Sequence, residues 1–287
     1  MKKYAYYPGC SAHSTGREYD LTTRQVFNAL DLELVEIPDW NCCGASSAHS
    51  VSEHLNLGLP GRDLVKAEEM GMDVVVPCAA CFNRLAHAAL VLPEVRGKEA
   101  GLPEFAGKVK VIHPMRLLAE EEHLAKLRAR TKQNLRGLKI VPYYGCLTVR
   151  PAAVTGVIGT ELENPTPMDR ILEEVGAEIR SWSYKTVCCG AGTAMPYPEI
   201  TQKLSMNLVE GALDADAEAI VTACPLCFVN LETQQLQAER AGVGLRHVPV
   251  FYFTELMGVA LGVPKVLSTL NLHLIPVNQT LSSRRVL

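Results

Sequence analysis

The sequence predicts an α/β fold of two duplicated domains, each a mainly parallel sheet with flanking helices. Three observations predict it. Short apolar or β-branched runs alternate with helix-period segments along the chain, the pattern of parallel strands joined by covering helices. Ten cysteines fall into two sets of one form: Cys, then Cys-Cys-Gly, then Cys-x-x-Cys. The first cysteine and the Cys-x-x-Cys of each set follow predicted strands, where such sheets gather functional residues.

The first set is Cys10, Cys42, Cys43, Cys78 and Cys81; the second is Cys146, Cys188, Cys189, Cys224 and Cys227. Cys42 to Cys188 and Cys78 to Cys224 are both shifts of 146 positions, whereas Cys10 to Cys146 is 136. The second unit therefore carries ten extra residues, which fit the Pro, Gly and Thr-rich stretch Pro151 to Pro167, read as a loop. Tyr7-Pro8-Gly9-Cys10 matches Tyr143-Tyr144-Gly145-Cys146, and Cys81-Phe82 matches Cys227-Phe228. Duplication explains this, with domains at 1–136 and 137–287 and a boundary in the polar stretch Arg130 to Gly137.

In order, Lys3 to Tyr7 reads as a strand ending at a cysteine turn. Tyr19 to Leu30 has Val26, Phe27 and Leu30 at helical spacing. Glu33 to Ile37 alternates as a strand, and Gly61 to Met70 is helical. Asp73 to Val76 is a short strand, Cys81 to Leu90 a helix, Val109 to Ile112 a strand and Met115 to Leu135 one long helix. The second half echoes this with strands at Leu138 to Val141, Ala177 to Trp182, Ala219 to Thr222 and Leu245 to Phe251.

At 48 % hydrophobic and 21 % charged, the 287 residues suit a globular protein with a full core. The net charge of −3 and the lack of a basic stripe argue against a nucleic-acid partner. No run of 18 apolar residues suggests a transmembrane segment. The few apolar residues before Pro8 are too short for a secretory signal, so a cytoplasmic location is expected. There, thiols stay reduced unless metal holds them, so ten cysteines read as metal ligands rather than disulfides.

Cys78-Ala79-Ala80-Cys81 and Cys224-Pro225-Leu226-Cys227 each sit between a strand and a helix. Two thiolates there can share one metal centre, and the helix N-terminus favours their charge. A thioredoxin-like redox pair fits the same motif, but each unit brings three further cysteines. Vicinal cysteines in a strand point to opposite faces, so Cys42-Cys43 and Cys188-Cys189 reach one centre only through a sharp turn, which Gly44 and Gly190 permit. Zinc takes four thiolates and so does a cubane iron–sulfur cluster. Five soft ligands in each copy favour iron–sulfur, with structural zinc as the plain alternative.

This pattern resembles the cysteine-rich CCG domain. Two such units in one chain resemble the B subunit of heterodisulfide reductase from Lys3 to about Met257, including Ala67-Glu68-Glu69-Met70-Gly71 ahead of the strand leading to Cys78. The resemblance implies two non-cubane [4Fe-4S] clusters facing one substrate cleft. Cys10, Cys42, Cys43, Cys78 and Cys81 would ligate one, and Cys146, Cys188, Cys189, Cys224 and Cys227 the other. It also implies a catalytic subunit that reduces or forms a small-molecule or protein-borne disulfide. Each cluster would supply one electron and capture a departing thiolate. The implied partners are the ferredoxin-like C subunit and the flavin-containing A subunit of heterodisulfide reductase. The rival function is a non-catalytic electron-transfer or quinone-linked subunit.

The eight histidines are scattered and read as surface or satisfied groups. His13, three residues after Cys10, is singled out as a proton donor near the first site. Glu120-Glu121-Glu122 with Lys126, Arg128 and Arg130 reads as a solvated helix face with i,i+4 pairs. No Walker loop, dinucleotide fingerprint or nucleophile elbow is found, and Pro264 to Leu287 matches no known pattern.

Overall fold

The computed structural model describes residues 1–95, 101–157, 159–244 and 246–283. It contains two four-stranded parallel sheets of the same topology. The first runs β2-β1-β3-β4, from β1 (Lys2–Tyr6), β2 (Leu32–Glu36), β3 (Val74–Val75) and β4 (Val111–Ile112). The second runs β6-β5-β7-β8, from β5 (Lys139–Tyr143), β6 (Glu178–Ile179), β7 (Ala219–Thr222) and β8 (Val250–Tyr252). We propose 136/137 as the domain division, which leaves one sheet on each side.

Side-chain alternation explains how each sheet is covered. Tyr4, Tyr6 and Val75 enter one buried cluster, whereas Ala5, Tyr7, Val74 and Val76 enter another on the opposite face. The larger cluster continues into the second unit through Ile140, Ile220 and Phe253. The two units thus share a core, with the Arg17–Ala29 helix packed on the Phe253–Ala260 helix. In each sheet the chain leaves the first strand to one side and returns on the other. That reversal opens a crevice beyond the carboxyl ends of β1 and β3, and of β5 and β7. Cys10 and Cys78 stand at the first crevice, Cys146 and Cys224 at the second.

Several elements differ from expectation. The helix expected from Gly61 begins at Glu53 and runs to Met70, because the Ser52 hydroxyl accepts the Leu55 N–H at 3.1 Å and starts it early. Gly58, Pro60 and Gly61 hide its first turns from a propensity reading. The Cys81 to Leu90 helix extends over Ala79–Val95. The expected long helix Met115 to Leu135 is two, Pro114–Leu118 and Glu121–Arg130, broken where Glu120 turns extended at ψ 142. An unbroken helix would turn Leu124 and Leu127 about half a turn away from Met115 and Leu118; the break lets all four bury. Beyond Arg130 the backbone N–H groups of Lys132 and Gln133 donate to Ala260 O instead of continuing the helix. The charged face pairs largely outside its own helix: Arg128 with Glu174 at 2.6 Å and Arg130 with Asp31 at 2.5 Å. β6 and β8 are shorter than expected, since Trp182 leaves the sheet to donate to Pro142 O; Leu245 lies outside the described residues. The expected loop Pro151 to Pro167 contains a helical turn at Ala152–Thr155 and a 3-10 turn at Gly159–Leu162; Ile158 lies outside the described residues.

Candidate metal centres

Each crevice gathers the five cysteines of its unit. Cys43 Sγ lies 3.2 Å from Cys81 Sγ, and Cys189 Sγ 3.6 Å from Cys227 Sγ. The thiols of Cys42 and Cys43, Cys81 and Cys78, Cys146 and Cys188, and Cys227 and Cys224 lie near enough to shift one another's pKa. The burial pattern repeats. Cys43, Cys78 and Cys81 are buried, as are Cys189, Cys224 and Cys227. Cys10 and Cys42, and in the second unit Cys146 and Cys188, face the surface side. Each site is therefore open through its first cysteine and the first of its vicinal pair.

The local backbone explains the convergence. Gly44 and Gly190 take φ 76 and 81, the turn that the vicinal cysteines require. Gly9 and Gly145 bring the first cysteine in: a Cβ there would lie 3.0 Å from Cys81 Sγ and 3.2 Å from Cys227 Sγ. The repeated tyrosines brace the vicinal loops. The Tyr7 hydroxyl donates to Asn41 O at 2.7 Å and the Tyr143 hydroxyl to Val187 O at 2.8 Å, each the carbonyl just before a Cys-Cys pair.

Hydrogen bonds among the thiols concentrate negative charge on some of them. The Cys43 thiol is pushed down to about 3 by hydrogen bonds from Cys42 and then Cys81. The Cys188 thiol is pushed down to about 6 by Cys146. Cys189 falls through its bond from Cys227 and Cys78 through Cys81, while Cys42, Cys81, Cys146 and Cys227 rise as proton holders. Metal requires thiolates and displaces such protons. Ten thiols arranged as two convergent, partly buried sets of five fit a soft-ligand metal centre in each unit.

His13 is placed at the first site. It ends the turn Cys10–His13, is exposed, and stacks on Trp40 at 5.5 Å. The two units meet through the shared core. On the first-unit side the Asn83 amide donates to Leu147 O and Arg150 O at 3.1 and 2.8 Å. An open depression beside Cys146 is lined by Leu147, Arg150, Pro151, Ala152 and Leu162. Sequence reasoning missed His113, Asp63 and Asn230. His113 was traceable, because it follows a predicted strand directly, as the cysteines do.

The model of the cysteine-rich domain, CCG, matches residues 4–86 and 140–232, together more than half of the chain. The 8-methylmenaquinol:fumarate reductase membrane anchor subunit of Wolinella succinogenes is 29 % identical over 272 residues, covering 92 % of this chain and 94 % of that protein. The B subunit of the ferredoxin:CoB-CoM heterodisulfide reductase of Methanosarcina mazei is 29 % identical over 277 residues, covering 91 % of this chain and 90 % of that protein. The crystal structure of a hypothetical protein from Helicobacter pylori shares the fold at TM-score 0.72 and 12 % identity, over 95 % of this chain and 51 % of that one. Among the described residues, no helix is long and apolar enough to cross a membrane.

Proposed function

The chain belongs to the cysteine-rich CCG domain family as an iron–sulfur oxidoreductase subunit, and on that premise we propose that it is the catalytic subunit of a heterodisulfide reductase-like complex. The reaction is RSSR′ + 2e⁻ + 2H⁺ → RSH + R′SH, or its reverse. The observation that carries this reading is the repetition of one five-thiol site at equivalent strand ends. Cys10, Cys42, Cys43, Cys78 and Cys81 hold one non-cubane [4Fe-4S] cluster, and Cys146, Cys188, Cys189, Cys224 and Cys227 the other. When bound, the two clusters supply the one-electron steps that a two-electron disulfide needs. The protein's own part is to hold the thiolates through Tyr7 and Tyr143, to shield three thiols per site, and to leave the Cys10–Cys42 and Cys146–Cys188 edges open to substrate. The exposed imidazole of His13 stands ready as a proton donor on the first edge. Electrons arrive from a ferredoxin-like partner and, behind it, a flavin-bearing one, and the complex works in the cytoplasm.

A second reading, an electron-transfer subunit linked to a quinol, is favoured by the likeness to the W. succinogenes anchor subunit. Anaerobically prepared protein should carry ~8 iron and equivalent labile sulfide; about two zinc per chain and no iron would overturn the cluster assignment. Reduced protein titrated with candidate disulfides should change its electron paramagnetic resonance spectrum. Filled clusters that no thiol or disulfide perturbs would leave the quinol-linked reading.

A further inference from the structure

Away from the thiols, the break between the Pro114–Leu118 and Glu121–Arg130 helices gathers three metal-ligating side chains. The second of these helices runs along the amino end of the first sheet: Lys126 and Arg130 donate to Leu30 O and Ala29 O, just before β2 begins. The cysteines stand at the other end. Glu120 turns extended at the break and caps that helix, yet its carboxylate accepts no capping hydrogen bond. Glu122 and His123 follow on the first turn. His123 Nε2 lies 3.1 Å from Glu122 Oε1 and 4.0 Å from Glu120 Oε2. One ligand atom from each of the three lies within 4.8 Å of the other two.

His123 is 1 % exposed, and neither of its ring nitrogens has a hydrogen-bond partner. Buried polar groups in native proteins are nearly always paired, so an orphaned imidazole calls for an explanation. A simple histidine–carboxylate pair does not supply one, because the ring makes no hydrogen bond to Glu122 in spite of the 3.1 Å approach. Nor are the two carboxylates spent elsewhere. Among the described residues, Glu120 and Glu122 pair with no arginine or lysine, whereas Glu121 between them pairs with Arg128 and Arg170.

We propose that Glu120, Glu122 and His123 bind a divalent cation of the zinc type, with water completing its coordination. Zinc takes imidazole nitrogen and carboxylate oxygen at about 2.0–2.2 Å in a tetrahedral array, which sets neighbouring ligand atoms roughly 3.3–3.6 Å apart. The 3.1 and 4.0 Å approaches bracket that spacing. The side chains of Glu120 and Glu122 are 54 % and 59 % exposed, so the cation enters from solvent and keeps a face open to water. Calcium and magnesium prefer all-oxygen sets, and the imidazole here favours zinc over them. Bound at this point, the cation gives His123 the partner it lacks and pins the break between the two helices. The site shares no ligand with the thiol sets and is independent of the cluster assignment.

The test uses the full chain, prepared anaerobically, equilibrated with zinc chloride, freed of excess metal and analysed for zinc and iron. Wild type is compared with the double variant Glu120→Gln/Glu122→Gln, whose exposed positions leave the core untouched, and with Glu121→Gln. Whatever the thiol sets hold, the double variant should carry one zinc fewer per chain than wild type, and Glu121→Gln should match wild type. X-ray absorption at the zinc edge should show nitrogen or oxygen neighbours at about 2.0 Å that the double variant lacks; sulfur neighbours at about 2.3 Å mark zinc on thiols. Hydrogen exchange of the Glu121–Arg130 amides should slow about tenfold in wild type at zinc near ten times its Kd, and not in the double variant. Equal zinc in wild type and the double variant overturns the inference, as does zinc with sulfur neighbours alone. Loss of the same zinc in Glu121→Gln reduces the site to a diffuse acidic patch and overturns it too, and zinc that binds without slowing exchange refutes the pinning of the break.

Discussion

Gly9→Ala should empty the first site while sparing the second. Gly9 has φ 74 and ψ 167, a region that only glycine occupies comfortably, at a cost of about 1–3 kcal/mol for any other residue. The added methyl would lie 3.0 Å from Cys81 Sγ, and overpacking of that kind costs about 1–3 kcal/mol. Because Gly9 adjoins Cys10, relief of either strain moves a ligand. A total near 3 kcal/mol corresponds to a fall in Tm of roughly 6–12 °C. The control is Gly71→Ala. Gly71 also has a positive φ, 65, but no atom lies within 4 Å of its added Cβ, so it costs about 1–2 kcal/mol and should leave metal binding intact. The assay is iron per chain with a thermal unfolding scan, wild type and both variants side by side. Gly9→Ala should lose about half of its iron. Full iron in Gly9→Ala, with a Tm loss no greater than that of Gly71→Ala, would refute the idea that this turn sets the ligand position.

Cys43→Ala should remove the first cluster's spectrum and keep the second's, and Cys189→Ala the reverse, since the two sets share no thiol; near-full disulfide turnover in either variant would end the paired-site mechanism. His273, its side chain fully buried between Glu255 Oε1 at 3.0 Å and Glu232 Oε1 at 3.5 Å, has a raised pKa of about 10 because those carboxylates outweigh its burial. A raised histidine stabilises fully below its unfolded value near 6.5 and ceases to do so as pH rises through 10, so denaturant unfolding should show stability falling over that window, and His273→Leu should cost about 3–5 kcal/mol at pH 7 and flatten it. Glu18 is pushed up to about 7, chiefly by burial. Its favourable neutral form is lost as pH rises from about 4.5 to 7, so Glu18→Gln should be more stable than wild type at pH 8 and equal to it at pH 4; equal stability at both would dismiss this burial cost.

The duplication was legible because cysteine spacing survives as sequence, and the strand ends were legible because Val74–Val76 and Ala219–Thr222 are short apolar runs that end at cysteines. Local composition failed where tertiary contacts decide. The Glu53–Met70 helix runs through Gly58, Pro60 and Gly61, and the break at Glu120 is rewarded only by burial of Leu124 and Leu127. His113 looked like one of eight scattered histidines because its partners, Pro77 O and the Met115 N–H, are backbone atoms. The tail after Pro264 carried no motif, yet His273 and the buried Val266, Ile275, Val277 and Leu281 tie it into the core.

Repetition of the thiols does not make the two sites equal, because what stands behind them has diverged. In the first unit the buried Asp63 carboxylate accepts the Asn41 N–H at 3.0 Å, and its other oxygen has no partner. The position 146 residues later is Val209, which offers no charge. The second unit instead braces Cys189 O with neutral donors, the Asn230 amide at 2.8 Å and the Ser205 hydroxyl at 3.0 Å. A carboxyl group in low dielectric acts on a nearby metal–thiolate centre much more strongly than an amide does. Burial pushes Asp63 up to about 7, so the first site meets a variable charge that the second never meets. The shared geometry, with three buried thiols and two open ones in each unit, suits both sites to the same kind of centre. The differing support gives each thiol set its own electrostatic setting, so the two sites are alike in their ligands and unequal in what stands behind them.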